Sequence, residues 1–249
     1  MNAKSLFGAL MIGAMVFSGA VQAQETAPKQ DKAAQPERTK NGDAGKTKEG
    51  DKLSNKGGDK SKEKEKGVAA GDTAPDFKLK DTDGKEHTLS ELTKAGKVVV
   101  IQWFNPECPY IKKHYGNAGN TFNDIYTKYN GKDVVLVAIN SNADGEPGSG
   151  DKANAKMKKE WKIEFPILLD PTGATGMAYG AKNTPAMYIV GKDGKVAYSG
   201  AIDDDSGSEK PGKSNYVTKA LDQILAGESV STSYMRPYGC RVKYAEKKK

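Results

Sequence analysis

Apolar positions are unevenly distributed along the chain. A run from Leu6 to Val16 leads to Val21-Gln22-Ala23. Between Gln24 and Lys66 the one large aliphatic residue is Leu53 and there are no aromatics, and from Val68 onward periodic apolar segments recur. The first run follows Lys4 and ends in small residues, the layout of an export signal cleaved after Ala23, so residues 1–23 are expected to be removed. An uncleaved anchor is the alternative, because the run is near the lower length limit for a membrane span. No cysteine follows the run, which argues against a lipid-modified N-terminus. Residues 24–67 mix Lys, Glu, Asp, Gly, Ala and Thr and cannot bury enough apolar surface to offset chain entropy, which predicts a disordered mixed-charge linker.

The folded domain is expected over residues 68–227. Ala74 to Leu79 alternates like a short strand, Asp83-Gly84 marks a turn, and Glu86 to Leu89 reads as the returning strand. Ser90 is a candidate cap for one helical turn that ends at Gly96. Lys97 to Phe104 is a nearly continuous β-branched run, the pattern of a strand buried on both faces. A helix is predicted from Pro109 to about Tyr129, with a break at residues 116–119, followed by a second buried strand in Val134 to Ile139. Strand, helix, strand implies a parallel crossover.

Beyond it, Asp151 to Trp161 reads as a basic helix, Phe165 to Leu169 as a strand and Gly173 to Tyr179 as a helix. Ala186 to Val190 and Val196 to Ala201 form a hairpin through Asp193-Gly194. A closing helix carries Val217, Leu221, Ile224 and Leu225 on one face and ends at Gly227. Residues 228–249 form a C-terminal tail containing Cys240. The fold class is therefore α/β, with a central mixed sheet flanked by helices and an N-terminal β-hairpin extension.

Composition narrows the function classes. The 249 residues are 36% hydrophobic and 29% charged with a formal charge of +7, which invites a nucleic-acid reading. The placement of charge removes it, because residues 68–240 carry 21 basic and 22 acidic residues. The basicity belongs to the ends, where it gives at most a weak attraction to anionic surfaces. Two cysteines exclude a disulfide-rich scaffold and a four-cysteine zinc site. Export would place both in an oxidising compartment, periplasmic or extracellular.

Cys108, in Asn105-Pro106-Glu107-Cys108-Pro109-Tyr110-Ile111, falls at the end of a buried strand and just before a helix. Pro109 suits the first helical position, which makes Cys108 the N-cap residue. Free N–H groups and the helix dipole there favour a thiolate, and a nearby Glu107 charge would oppose it. An inert buried cysteine is the plainer alternative.

These residues resemble the thioredoxin-fold redoxins, the peroxiredoxin-like proteins among them. The resemblance spans Val68 to Gly227 and rests on Gly71 to Phe77 with Asp83-Gly84, the Val98 to Cys108 run, and Asp170 to Gly200 with its Asn183-Thr184-Pro185. It implies a thioredoxin-like fold and a cis Pro185 facing Cys108. It also implies that Cys108 is catalytic and that Asn105, Pro109, Thr184 and Pro185 form the substrate-binding surface; Cys240, the one other cysteine, is the candidate second catalytic residue. The chain departs from both branches of the family. Ile111 stands where a reductase would carry its second cysteine, and Asn105 where a typical peroxiredoxin would carry threonine.

The implied function is an exported thiol oxidoreductase. Cys108 attacks a peroxide or a protein or small-molecule disulfide, an external thiol serves as reductant, and no cofactor is needed. Cys240 resolves the product, forms a structural disulfide, or plays no part. A binding module that uses the Pro185 groove is the reading from another class. His87 and His114 are not expected to bind metal: six residues of helix separate His114 from Cys108, a turn of about 600°. Asp203-Asp204-Asp205 reads as a solvated loop.

Overall fold

The computed structural model describes residues 67–116 and 118–246. The expected export signal and nearly all of the expected linker lie outside the described residues. Among the described residues no helix is long and apolar enough to cross a membrane.

The chain forms β1 (Lys78–Asp81), β2 (Glu86–Thr88), α1 (Leu89–Lys94), β3 (Val98–Trp103), α2 (Pro109–Lys112), α3 (Thr121–Tyr129) and β4 (Val134–Asn140). It continues with α4 (Asp151–Glu160), β5 (Ile167–Leu169), α5 (Ala174–Tyr179), β6 (Asn183–Thr184), β7 (Met187–Val190) and β8 (Val196–Gly200). It ends with α6 (Tyr216–Leu225), β9 (Tyr234–Met235) and β10 (Cys240–Arg241). Eight strands form one sheet in the order β2-β1-β5-β4-β3-β7-β8-β9, and β10 pairs with β6 alone.

The mixed sheet is built around β3. Its six residues are all buried, as a β-branched run without a polar face requires. It runs parallel to β4 and antiparallel to β7. Alternate side chains divide the core: Val98 and Val100 pack with Phe122, Ile125 and Leu221, while Val99, Ile101 and Trp103 pack with Leu89, Tyr179 and Val190 on the other face. Each fully buried aliphatic side chain contributes about 1.5–3 kcal/mol, so β3 is the rigid base on which the segment after Trp103 stands. The architecture is the thioredoxin-like one that the resemblance implied, with the β1–β2 hairpin at one edge.

Several elements differ from expectation. The break expected at residues 116–119 is present but wider: the first helix ends at Lys112 and the second begins at Thr121. Gly116 turns the chain at φ +67°, and Gly119 lies so close to Pro211 that a Cβ there would meet its ring at 2.4 Å. The first strand starts at Lys78, because Thr73 and Ala74 pair with Lys195 and Gly194 instead. Ser90 does not cap α1. Thr88 holds that position, and the Ser90 N–H donates to the Asp76 carboxylate at 2.9 Å. Leu225 is exposed rather than core-facing.

The largest correction is Asp203, which belongs to no solvated loop. It is buried at 3% exposure among groups from three segments. The chain after Gly227 also packs onto the domain: β9 adds to β8 in parallel and Val242 is buried.

Candidate active site

Between β3 and α2 the chain makes a tight turn that presents Cys108. The Phe104 N–H donates to the Ile139 carbonyl at 2.8 Å, and the Cys108 N–H donates to the Asn105 carbonyl at 3.1 Å. The Asn105 side-chain carbonyl accepts from the Glu107 N–H at 2.9 Å. Asn105 is thus occupied in shaping the turn. Pro109 holds the first position of α2 with Cys108 as N-cap, as the sequence predicts, but the Cys108 side chain makes no capping bond. Glu107 is exposed and pairs with Lys112 at 2.9 Å, so its carboxylate is engaged away from the thiol.

The Cys108 side chain is 1% exposed, and its thiol donates to the Thr184 carbonyl at 3.1 Å. The Thr184–Pro185 peptide is cis, so the two residues expected to flank Cys108 do flank it. The Thr184 hydroxyl is buried and has no hydrogen-bond partner among the described residues. Ile111, where a second cysteine would stand in a reductase motif, is completely buried in the core.

The second cysteine arrives from the far end of the chain. β10 runs antiparallel to β6, with Cys240 opposite Thr184 and Arg241 opposite Asn183. The ladder continues with the Val242 N–H donating to the Lys182 carbonyl at 3.1 Å. The Asn183 amide donates to the Gly239 carbonyl at 3.0 Å. Cys240 packs against the cluster that contains Cys108, and both are free thiols.

Burial first, then the hydrogen bond to Cys108 and the electrostatic coupling with it, push the Cys240 thiol up to about 12. The Tyr110 N–H pulls the other way. The first free amide of α2 therefore acts on Cys240, whereas the sequence reading assigned the helix terminus to Cys108. A sulfur that keeps its proton this firmly is a poor attacking group.

Beside the cysteines lies a polar cluster that the sequence did not reveal. The Lys113 side chain is fully buried, with its ammonium donating to the carbonyls of Asp205 and Gly207 at 2.5 and 2.9 Å. The same ammonium lies 3.8 Å from the Asp203 carboxylate and 4.5 Å above the Tyr238 ring. Tyr238 donates its hydroxyl proton to Asp203 at 2.5 Å, and His114 Nε2 is 3.3 Å from that hydroxyl.

Burial, partly offset by Asp203, lowers the His114 pKa to about 4, so the ring is neutral at pH 7. With the Tyr238 proton directed to Asp203, His114 Nε2 is the donor and Nδ1 accepts from Thr121, 3.0 Å away. A lysine and an aspartate in charged loops ordinarily stay in solvent. The available signal was the aromatic tail around Cys240, which needs a surface to pack on. His87 pairs with Asp81 at 2.7 Å, at the sheet edge.

A family model described as Redoxin matches residues 69–218. A thiol-disulfide oxidoreductase, ResA, of Geobacillus thermodenitrificans is 32% identical over 130 residues, covering 52% of this chain and 67% of that protein. The ResA of Bacillus subtilis is 28% identical over 132 residues, covering 53% and 67%. The solved structure of an uncharacterized conserved protein from Geobacillus kaustophilus is similar with TM-score 0.64 and 30% identity, covering 72% of this chain and 94% of that one. A hypothetical protein from Sinorhizobium meliloti is similar with TM-score 0.63 and 25% identity, covering 72% and 97%.

Proposed function

Since the chain belongs to the Redoxin family, we propose that it is a thiol-disulfide oxidoreductase in which Cys108 and Cys240 form one redox couple. The observation that carries this reading is the placement of Cys240 opposite Thr184, the residue whose carbonyl accepts the Cys108 thiol. Relatives named as thiol-disulfide oxidoreductases support the reaction class.

The Cys108 thiolate attacks one sulfur of a substrate disulfide. The substrate S–S bond breaks, one substrate thiol leaves with a proton, and a mixed disulfide remains on Cys108. Cys240 then loses its proton and attacks the Cys108 sulfur, which releases the second substrate thiol and closes the Cys108–Cys240 bond. Two electrons have passed from the cysteine pair to the substrate, and an external thiol reductant returns them. In this reading the buried Thr184 hydroxyl and the Pro185 loop face the incoming substrate, while Asn105 and Pro109 hold the turn that presents Cys108.

A hydroperoxide is the second substrate class. There the thiolate takes the terminal oxygen, the O–O bond breaks, the leaving oxygen departs protonated as water or an alcohol, and Cys240 condenses with the sulfenic acid to release water. The Met1–Ala23 pattern supports an exported protein working where disulfides persist. A purely binding use of the Pro185 groove is disfavoured, because the chain's own β10 occupies that edge and brings the missing thiol with it.

The test is to treat the reduced protein separately with oxidised glutathione and with hydrogen peroxide and to map the products by mass spectrometry, with Cys108→Ser as control. A Cys108–Cys240 linkage that forms with an oxidant and disappears with a dithiol is the expected result. Modification of Cys108 no faster than that of an ordinary exposed thiol sinks the proposal.

A further inference from the structure

We propose that Tyr238 is the positioning residue of this couple, and that Lys113, His114 and Asp203 form a receptor that holds it so that Cys240 stays within reach of Cys108. The inference rests on the redox reading above and deepens it.

The receptor belongs to the body of the domain. Lys113 and His114 follow α2, Asp203 follows β8, and all three side chains are at most 2% exposed. Buried charges of this kind are costly unless their hydrogen-bonding and ionic partners are in place. Asp203 accepts from the Gly212 and Asp205 amides at 2.6 and 3.2 Å, and the Tyr238 hydroxyl adds a third hydrogen bond. The Tyr238 ring gives the buried ammonium an aromatic face, a contact that strengthens when desolvated. One tyrosine thus completes both halves of a buried ion pair.

Chain length makes the anchor effective. Tyr238 precedes Cys240 by two residues, about 7 Å of extended chain, so fixing the ring fixes the thiol to within a small volume. The β6–β10 ladder holds the other side of Cys240 through Arg241 and Val242. A disulfide needs its Cα atoms about 4.4–6.8 Å apart, a tolerance that an untethered tail would rarely meet. Because both cysteines are free thiols here, the segment is docked by non-covalent contacts alone. The receptor therefore acts on the reduced state, before any bond forms, and raises the effective concentration of Cys240 at Cys108.

The experiment equilibrates the reduced full-length protein with glutathione redox buffers and reads the Cys108–Cys240 disulfide by mass spectrometry. Tyr238→Phe keeps the ring and removes the hydroxyl. It is expected to lower the equilibrium constant for disulfide formation at least tenfold, which for a two-electron couple is about 30 mV. Asp203→Asn, which retains an acceptor, should fall between wild type and Tyr238→Phe.

The control is Tyr129→Phe, which removes a comparable 2.7 Å bond from α3 to Asp222 of α6 and should lower thermal stability without moving the potential. If wild type and Tyr238→Phe share one potential while both fold, the positioning role is wrong and the redox couple stands. If wild type forms no Cys108–Cys240 bond in any buffer, both proposals fall.

Discussion

Cys240 sits directly across the β6–β10 ladder from Thr184, whose carbonyl accepts the Cys108 thiol hydrogen bond at 3.1 Å. One residue of the Pro185 loop therefore links two sulfurs that lie 132 positions apart in the chain. The same relationship makes the tail a plug: the edge on which an extended substrate would pair is occupied by the protein's own strand.

Gly239 is the residue that lets the plug seat. Its φ is +111°, and a Cβ there would lie 2.1 Å from the Thr184 carbonyl oxygen. Gly239→Ala should lift β10 at a cost of about 1–3 kcal/mol and speed alkylation of Cys108 by iodoacetamide at least tenfold. Mass-spectrometric alkylation kinetics at pH 8 measure this, and an unchanged Cys108 rate would show that the tail does not guard the thiol.

The thiol of Cys240 should be sluggish by itself. With its pKa pushed up to about 12, about one molecule in 10⁴ is ionised at pH 8, against roughly one in four for an ordinary cysteine. Its alkylation should be at least 100-fold slower than that of free cysteine. Cys108→Ala removes the hydrogen bond and coupling that contribute to the shift, so Cys240 should then react faster, although burial remains.

Acid stability should report on His114. The folded pKa of about 4 lies below the ordinary 6.5, so the unfolded chain takes up the proton first. Stability from this group is complete above pH 6.5 and is lost as pH falls toward 4, by about 2 kcal/mol at pH 5. Lys113, Asp203 and Tyr238 are the charged or titratable groups around it. Urea denaturation at pH 7.5 and pH 5 measures the loss, and His114→Gln should flatten the dependence between those values.

Thr184→Val separates substrate contact from packing. The hydroxyl is buried without a partner among the described residues, so replacing it by a methyl group should leave the melting temperature unchanged or higher. If that hydroxyl meets the substrate, kcat/KM with a model disulfide should fall about tenfold despite the intact fold. Equal kcat/KM in the two proteins would remove Thr184 from the substrate surface.

Most of the sheet was legible in the residues. The Val98–Trp103 and Val134–Asn140 strands, the Met187–Gly200 hairpin and the Asp151–Glu160 helix follow from local periodicity, because burial on one or two faces writes itself into successive side chains. The turn before Pro109 was equally readable, since proline at the first helical position has a local cause. The break at residues 116–119 was readable from its glycines, but its extent, from Lys113 to Asn120, was not, because helix periodicity does not register a close approach such as that of Gly119 to Pro211. Asp203 was misread for a related reason: three consecutive aspartates look solvated until a lysine from another segment is buried beside one of them.

The sequence by itself determined the order and type of most of the elements and the place of Cys108 between a buried strand and a helix, both of which depend on neighbours a few residues apart. Only the tertiary structure decided that Cys240 meets Cys108. It also decided that the amide of Tyr110 acts on the tail thiol, and that Lys113, His114, Asp203 and Tyr238 share one buried site. Those relationships depend on desolvation and on pairing between segments separated by up to 132 positions, and neither leaves a periodic trace along the chain.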